Sequence, residues 1–295
     1  MVFPMFAMNL SSLTVRYTVI FKVVSPRSLT IRSLHCYTKC LVTETICGGD
    51  PHFRRWGQAV RDSFHGECDL VLVHSETFYN NAGLDIHVRT TMNDFYSYIE
   101  SAAVKIGNHV LEVNQGDFLL GGTPYDESDL PLIFGDKEEN FKFELVSKNE
   151  HRTSYRLDFG NEAEIVFKIY KQYMNIETTG HIQLSDNEGL LGSYPTGEMI
   201  SRGGEVMTKF EDYGFEWQVR PEDPKLFAEA REPQLPYEKC RVPTAARPAR
   251  RQLRAQNRKL QAEAEKACAS QSGSDFDLCV DDVMMTGDIG LAEDW

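Results

Sequence analysis

The chain has 295 residues, 41% of them hydrophobic, enough for one large cored domain with extensions or for two small ones. Acidic residues outnumber basic ones by 44 to 31, a net charge of -13, which argues against a general nucleic-acid binder because phosphate binding requires a basic surface. Seven cysteines over this length are too few for a small disulfide scaffold, and the number is odd.

Residues 1–45 hold five basic residues and one Glu, so the acidity lies in the remainder. They carry β-branched runs at 13–24 and 28–31 but no motif. The 13–24 stretch is interrupted by Arg16 and Lys22, and a span needs about 20 nearly uncharged residues, so no transmembrane helix is expected. Residues 1–8 are apolar but lack the basic start of a secretory leader; they read either as an atypical leader or as something other than the true beginning. Cys36, Cys40 and Cys47 offer three thiols, but no fourth ligand stands at finger-like spacing, so no zinc site is expected.

From about 45 to 217 the pattern is alternation with period two, in short runs broken by Gly, Asn and Asp. Residues 70–73 form a compact apolar strand. Leu84, Ile86 and Val88 alternate with Asp85, His87 and Arg89. Apolar runs at 104–106 and 110–113 straddle Gly107-Asn108, a hairpin-like pair. Alternation returns at Phe141, Phe143 and Leu145, at Tyr155, Leu157 and Phe159, at Ile165, Phe167 and Ile169, and at Met174 and Ile176. Half-buried antiparallel strands at this spacing predict a mainly β fold, a β-sandwich or a related closed architecture, and none reads as a parallel βαβ unit.

Composition then shifts. Residues 221–243 contain five prolines and read as an extended linker. Residues 247–270, rich in Ala, Gln, Arg, Lys and Glu, read as a helix. Arg250, Arg251, Arg254, Arg258 and Lys259 make a basic stripe without interleaved aromatics, which reads as a solvated helix face. Residues 275–295 hold seven acidic residues and no basic ones. No nucleophile elbow, phosphate loop, dinucleotide-binding glycine run or zinc-protease motif is present, so no enzyme is expected.

Two blocks are more specific than this pattern. The first is Cys47-Gly48-Gly49-Asp50-Pro51-His52-Phe53; the second is Gly66-Glu67-Cys68-Asp69-Leu70-Val71-Leu72. Together they resemble the opening of a von Willebrand factor type D domain. Gly189-Leu190-Leu191-Gly192-Ser193-Tyr194-Pro195-Thr196-Gly197 is similar to a later loop of that family, with Leu191 in place of a Cys and Ser193 in place of an Asn. The Cys-bearing run from Cys268 through Cys279 to Asp288 is similar to the tail that often follows such domains.

The resemblance implies a β-sandwich over residues 46–220, preceded by an unassigned extension (1–45) and followed by a linker (221–245) and a helical, cysteine-bearing appendage (246–295). It implies that Cys68 joins Cys240 and that Cys268 joins Cys279. Cys47 loses its usual mate to Leu191, and pairing with Cys36 or Cys40 stays open. Calcium in such domains needs six to eight oxygen ligands; Asp186, Asn187, Ser193 and Glu198 are the candidates, too few and poorly spaced, so no cofactor is expected. The expected function is an extracellular adhesion, matrix or multimer-assembly module. It would act on other extracellular proteins or matrix without turnover, and it could form disulfide-linked oligomers. The alternative is self-processing. An Asp-Pro amide is weak in acid, and His52 beside Asp50-Pro51 could supply the proton that the leaving nitrogen needs.

Overall fold

The computed structural model describes residues 45–48, 51–136, 140–160, 163–180, 184, 186–231, 240–244 and 257–295. All of them fall within one compact unit, residues 42–295. The fold is mainly β and antiparallel, with helices late in the chain.

A six-stranded sheet runs in sequence order through β4 (Asp69–Ser75), β5 (Leu84–Asn93), β6 (Tyr96–Ile106), β7 (His109–Val113), β8 (Asp117–Leu120) and β9 (Thr123–Asp126). The β6–β7 turn is the Gly107-Asn108 pair, with Ile106 opposite His109 and Gly107 at φ +57°, a conformation that glycine adopts freely.

An eight-stranded sheet is assembled out of order. β10 (Leu132–Phe134), β11 (Phe141–Lys148), β12 (Arg152–Asp158), β13 (Ala163–Tyr170) and β14 (Tyr173–Gly180) follow one another as hairpins. The early strands β1 (Thr45–Gly48), β2 (His52–Arg54) and β3 (Asp62–Ser63) then add to the far side of β14. Alternation explains which face is inward: Ile165 and Phe167 on β13, Tyr155 and Leu157 on β12, and Phe141 and Phe143 on β11 are all sealed from solvent.

Side chains of both sheets share one hydrophobic core. Phe118 on β8 packs edge-on against Phe143 and Tyr155 of the other sheet, with ring centroids 5.0 and 4.9 Å away. Each fully buried Phe contributes about 2–3 kcal/mol, and each such ring pair about 1 kcal/mol more.

Residues 221–231 lie against the six-stranded sheet. Leu226 and Phe227 are buried with Ala103, the Arg89 guanidinium sits 4.2 Å over the Phe227 ring, and the Arg231 amide donates to Asp69 at 3.0 Å. Residues 232–239 and 245–256, which include Arg250, Arg251 and Arg254, lie outside the described residues.

Among the described residues, helices late in the chain include α1 (Phe210–Glu216), α2 (Arg258–Ala267) and α3 (Gly273–Thr286). Asn257 caps α2, its side chain accepting from the Leu260 amide at 3.0 Å. Gly287 ends α3 in the left-handed conformation, φ +71°. Ala264, Cys268, Cys279, Val280 and Val283 form a second core with Tyr96, Tyr170 and Tyr173 of β6, β13 and β14. The tail thus packs on strands from both sheets. No helix among the described residues is long and apolar enough to cross a membrane.

Candidate functional site

Cys68 and Cys240 form a disulfide, as do Cys268 and Cys279. The first pair is brought together by backbone. Val71 donates to the Trp217 carbonyl and Val219 to the Asp69 carbonyl, both at 2.8 Å, so residues 217–219 run along β4. Glu67 bridges to Arg241, which sets Cys240 beside Cys68. Cys47 is a free thiol, buried in the main core, with its Sγ 3.6 Å from the Ile176 carbonyl. Cys36 and Cys40, the partners left open for it, lie outside the described residues. Leu191 is buried in the same core, an apolar side chain where the resemblance expects a second thiol.

The loop from Gly189 to Gly197 is zipped onto β4. The amides of Glu188, Leu190 and Leu191 donate to the carbonyls of His74, Val71 and Leu72. Gly189 has φ +120°, and a Cβ there would stand 2.6 Å from the Leu72 oxygen, so the close approach requires glycine. Beside this loop lies a cleft of about 280 Å³, lined in part by Asp186, Asn187, Ser193, Tyr194 and Tyr213.

Three of the four calcium candidates, Asp186, Asn187 and Ser193, line this cleft, and Asp186 and Asn187 are engaged by the protein's own groups. Asp186 accepts from the Ser75 hydroxyl (2.6 Å), the Thr77 hydroxyl (2.7 Å) and the amides of Glu76 and Thr77 (both 3.0 Å). Burial raises its pKa, and these donors more than offset that, holding it below the ordinary carboxylate value. Asn187 donates to the Gly192 carbonyl at 2.7 Å and accepts from the Tyr194 amide at 2.6 Å. Ser193 and exposed Glu198 meet through backbone. A carboxylate ringed by N–H and O–H donors closes a loop; it does not offer oxygens to a cation, so this set does not fit calcium. Among the described residues no group of three or more His, Cys, Asp or Glu is placed to hold a metal.

The Asp-Pro-His segment lies elsewhere. Asp50 is outside the described residues, but Pro51 is buried and His52 is 0% exposed at the start of β2. His52 Nδ1 is 2.7 Å from the Ser63 hydroxyl on β3, and its Nε2 is 3.1 Å from the Asp282 carboxylate on α3. The Trp295 ring lies 5.0 Å from the imidazole, and the Arg61 guanidinium lies 4.3 Å over Trp295. Arg54 donates to Asp275 at 3.2 Å, and Arg61 Nε stands 3.8 Å from the same carboxylate. Burial, then neighbouring Arg54, lowers the Arg61 pKa, while Asp275 and Asp282 pull it back up.

Hydroxyl, imidazole and carboxylate in a row are the parts of an activated nucleophile. Here the imidazole is fully buried, with Asp282 and Trp295 of the tail against it. Sequence reasoning singled out His52 but neither Ser63 nor Asp282. Asp282 is 230 residues away in the chain, and no spacing links the two.

No protein-family model matches this chain, and no curated protein matches it.

Proposed function

We propose that the chain is an extracellular adhesion or assembly module of the von Willebrand factor type D kind. It works through protein contacts and performs no turnover, and its two sheets stack as a β-sandwich. The observation that carries the reading is the Cys68–Cys240 bridge, which ties the start of β4 to a segment 172 residues later. A second bridge lies in the tail. Disulfides persist in oxidising compartments and are rare where thiol buffers operate, so two of them support export. The shared core between the sheets supports the sandwich. Polar groups at the cleft that are committed to closing loops support binding over turnover.

Mapping of thiols and disulfides by mass spectrometry on protein taken from its natural source tests the compartment. The two bridges should be found intact; a fully reduced chain refutes export. Light scattering and retention on extracellular matrix fractions test the activity. A chain that remains monomeric and binds no fraction refutes the adhesion and assembly reading.

A second reading is self-processing at Asp50-Pro51. It is favoured by one observation: the imidazole next to this bond in the chain is held between a hydroxyl and a carboxylate, groups that fix its orientation.

A further inference from the structure

Residues 221–231 cross the face of the six-stranded sheet that points away from the shared core. Leu84, Ile86 and Val88 of β5 take the core side, so Asp85, His87 and Arg89 stand on the other. Register sets three polar rows there. Asp85 lies between His74 of β4 and Lys105 of β6; His87 lies beside Ala103 of β6, with Glu112 of β7 beyond; Arg89 lies beside Asp69 of β4.

The segment 221–231 is a strap over these rows. Leu226 and Phe227 are buried with Ala103. Glu112 accepts from the Ala228 amide at 2.9 Å, Asp69 accepts from the Arg231 amide at 3.0 Å, and the Arg231 guanidinium donates to the Thr90 carbonyl at 2.5 Å. Both ends are moored at one point of β4: the Val219 amide donates to the Asp69 carbonyl, and Cys240 is bonded to Cys68. A strap that lifts therefore stays tethered and can return.

His87 is sealed beneath it, 1% exposed, and its Nδ1 has no hydrogen-bond partner among the described residues. A neutral ring tolerates this by carrying its hydrogen on Nε2 and leaving Nδ1 a bare lone pair. An imidazolium puts a second N–H there, with nothing to accept it. The carboxylates around His87 are committed elsewhere. Asp85 is held by His74 and Lys105, Asp69 by Arg89, and Asp223 of the strap by Arg202. Glu112 accepts from Asn114 as well as from the strap. Burial, the largest influence, outweighs the pull of Asp85, Asp69 and Asp223 and holds the covered imidazole at about 4; the charge of His74 pushes the same way as burial.

We propose that residues 221–231 are an acid-released strap: it is docked while His87 is neutral and lifts when His87 takes a proton, presenting the face that bears Asp69, Arg89 and Glu112 in acidic surroundings. This holds whatever the module binds. A ring that titrates at the ordinary 6.5 when uncovered and at about 4 when covered raises the proportion of lifted strap about 20-fold between pH 7 and pH 5.

The test is hydrogen exchange on the full-length chain, expressed as protection relative to the unstructured rate at each pH. Protection of the Ala228 and Arg231 amides should fall about 20-fold from pH 7 to pH 5, while Ile165 and Phe167 of β13 keep theirs. His87→Leu and His87→Gln, both neutral at every pH, should hold strap protection constant over this range; the glutamine keeps a polar side chain should the leucine disturb the fold. Strap protection that does not fall in the parent overturns the proposal. A fall that persists in the folded His87 variants overturns it too, since the titrating group is then Asp69, Glu112 or Asp223. So does a fall shared by β13, which means that the whole fold opens and not the strap.

Discussion

Cys68 and Cys240 are joined with their Cα atoms 5.2 Å apart, although 172 residues separate them. The bridge closes nearly all of both sheets into one loop. In the chain-entropy account a loop this long restricts the unfolded chain by about 5 kcal/mol, against about 3 kcal/mol for the 11-residue Cys268–Cys279 loop. Replacing both Cys68 and Cys240 by Ala should therefore lower the urea midpoint more than the same change at Cys268 and Cys279. Equal or reversed shifts would contradict this ordering.

Gly214 sits inside α1, where Ala would ordinarily gain about 1 kcal/mol of helix propensity. In this position a Cβ would stand 2.2 Å from Phe64 Cδ2, and Phe64 is fully buried. Overpacking costs about 1–3 kcal/mol, so it outweighs propensity. Gly214→Ala should melt at a lower temperature than the parent; a higher melting temperature means the ring and helix are not in contact.

His87 on β5 is 1% exposed, and burial lowers its pKa from 6.5 to about 4. Between those values the unfolded chain binds a proton that the folded chain does not. Its contribution is fully present above pH 6.5 and is lost as pH falls toward 4, on the order of 3 kcal/mol in all. His74 acts oppositely. Its hydrogen bond to Asp85 at 2.5 Å raises its pKa, so its contribution is present at low pH and is lost as pH rises through the raised value. His87→Leu should flatten the acid limb of a melting-temperature profile and leave the neutral limb unchanged. A profile that is the same with and without His87 rules out this assignment.

Cys47 should resist thiol reagents. It is 1% exposed, and burial, the largest influence on it, pushes the thiol far above its ordinary pKa, so thiolate is scarce. Alkylation followed by peptide mapping should leave Cys47 unmodified in the native protein and modify it fully in denaturant. Rapid native labelling would show that this strand opens. An intermolecular disulfide through Cys47 is likewise blocked while the fold is intact.

Much of the sheet framework is legible along the chain because one face of each strand is buried. Phe141 and Phe143, Tyr155 and Leu157, and Ile165 and Phe167 write that face as alternation, and strands form at each of these places. The strands that escape notice are short and poor in apolar residues, such as β9, whose four residues are largely exposed. α1 escapes for a different reason: Gly214 interrupts a seven-residue helix that sits against Phe64. The cysteine bridges follow from motif resemblance, since spacing alone does not choose partners among seven thiols. The tail contact is not legible at all. Asp282 belongs to a run of seven acidic residues that carries no motif, yet it is buried against an imidazole supplied by β2.

The position of β1 has a bearing on biogenesis. Its neighbour β2 follows at once, but its other neighbour is β14, with Cys47 paired to Ile176 across 129 residues. At translation rates of about 5–20 residues per second, one flank of β1 waits on the order of ten seconds for its partner to be synthesised. During that interval a strand carrying a reactive, still uncovered thiol is open to mispairing with other nascent chains. Efficient production of this protein should accordingly depend on chaperones that shield strand edges and on isomerases that correct premature thiol bonding.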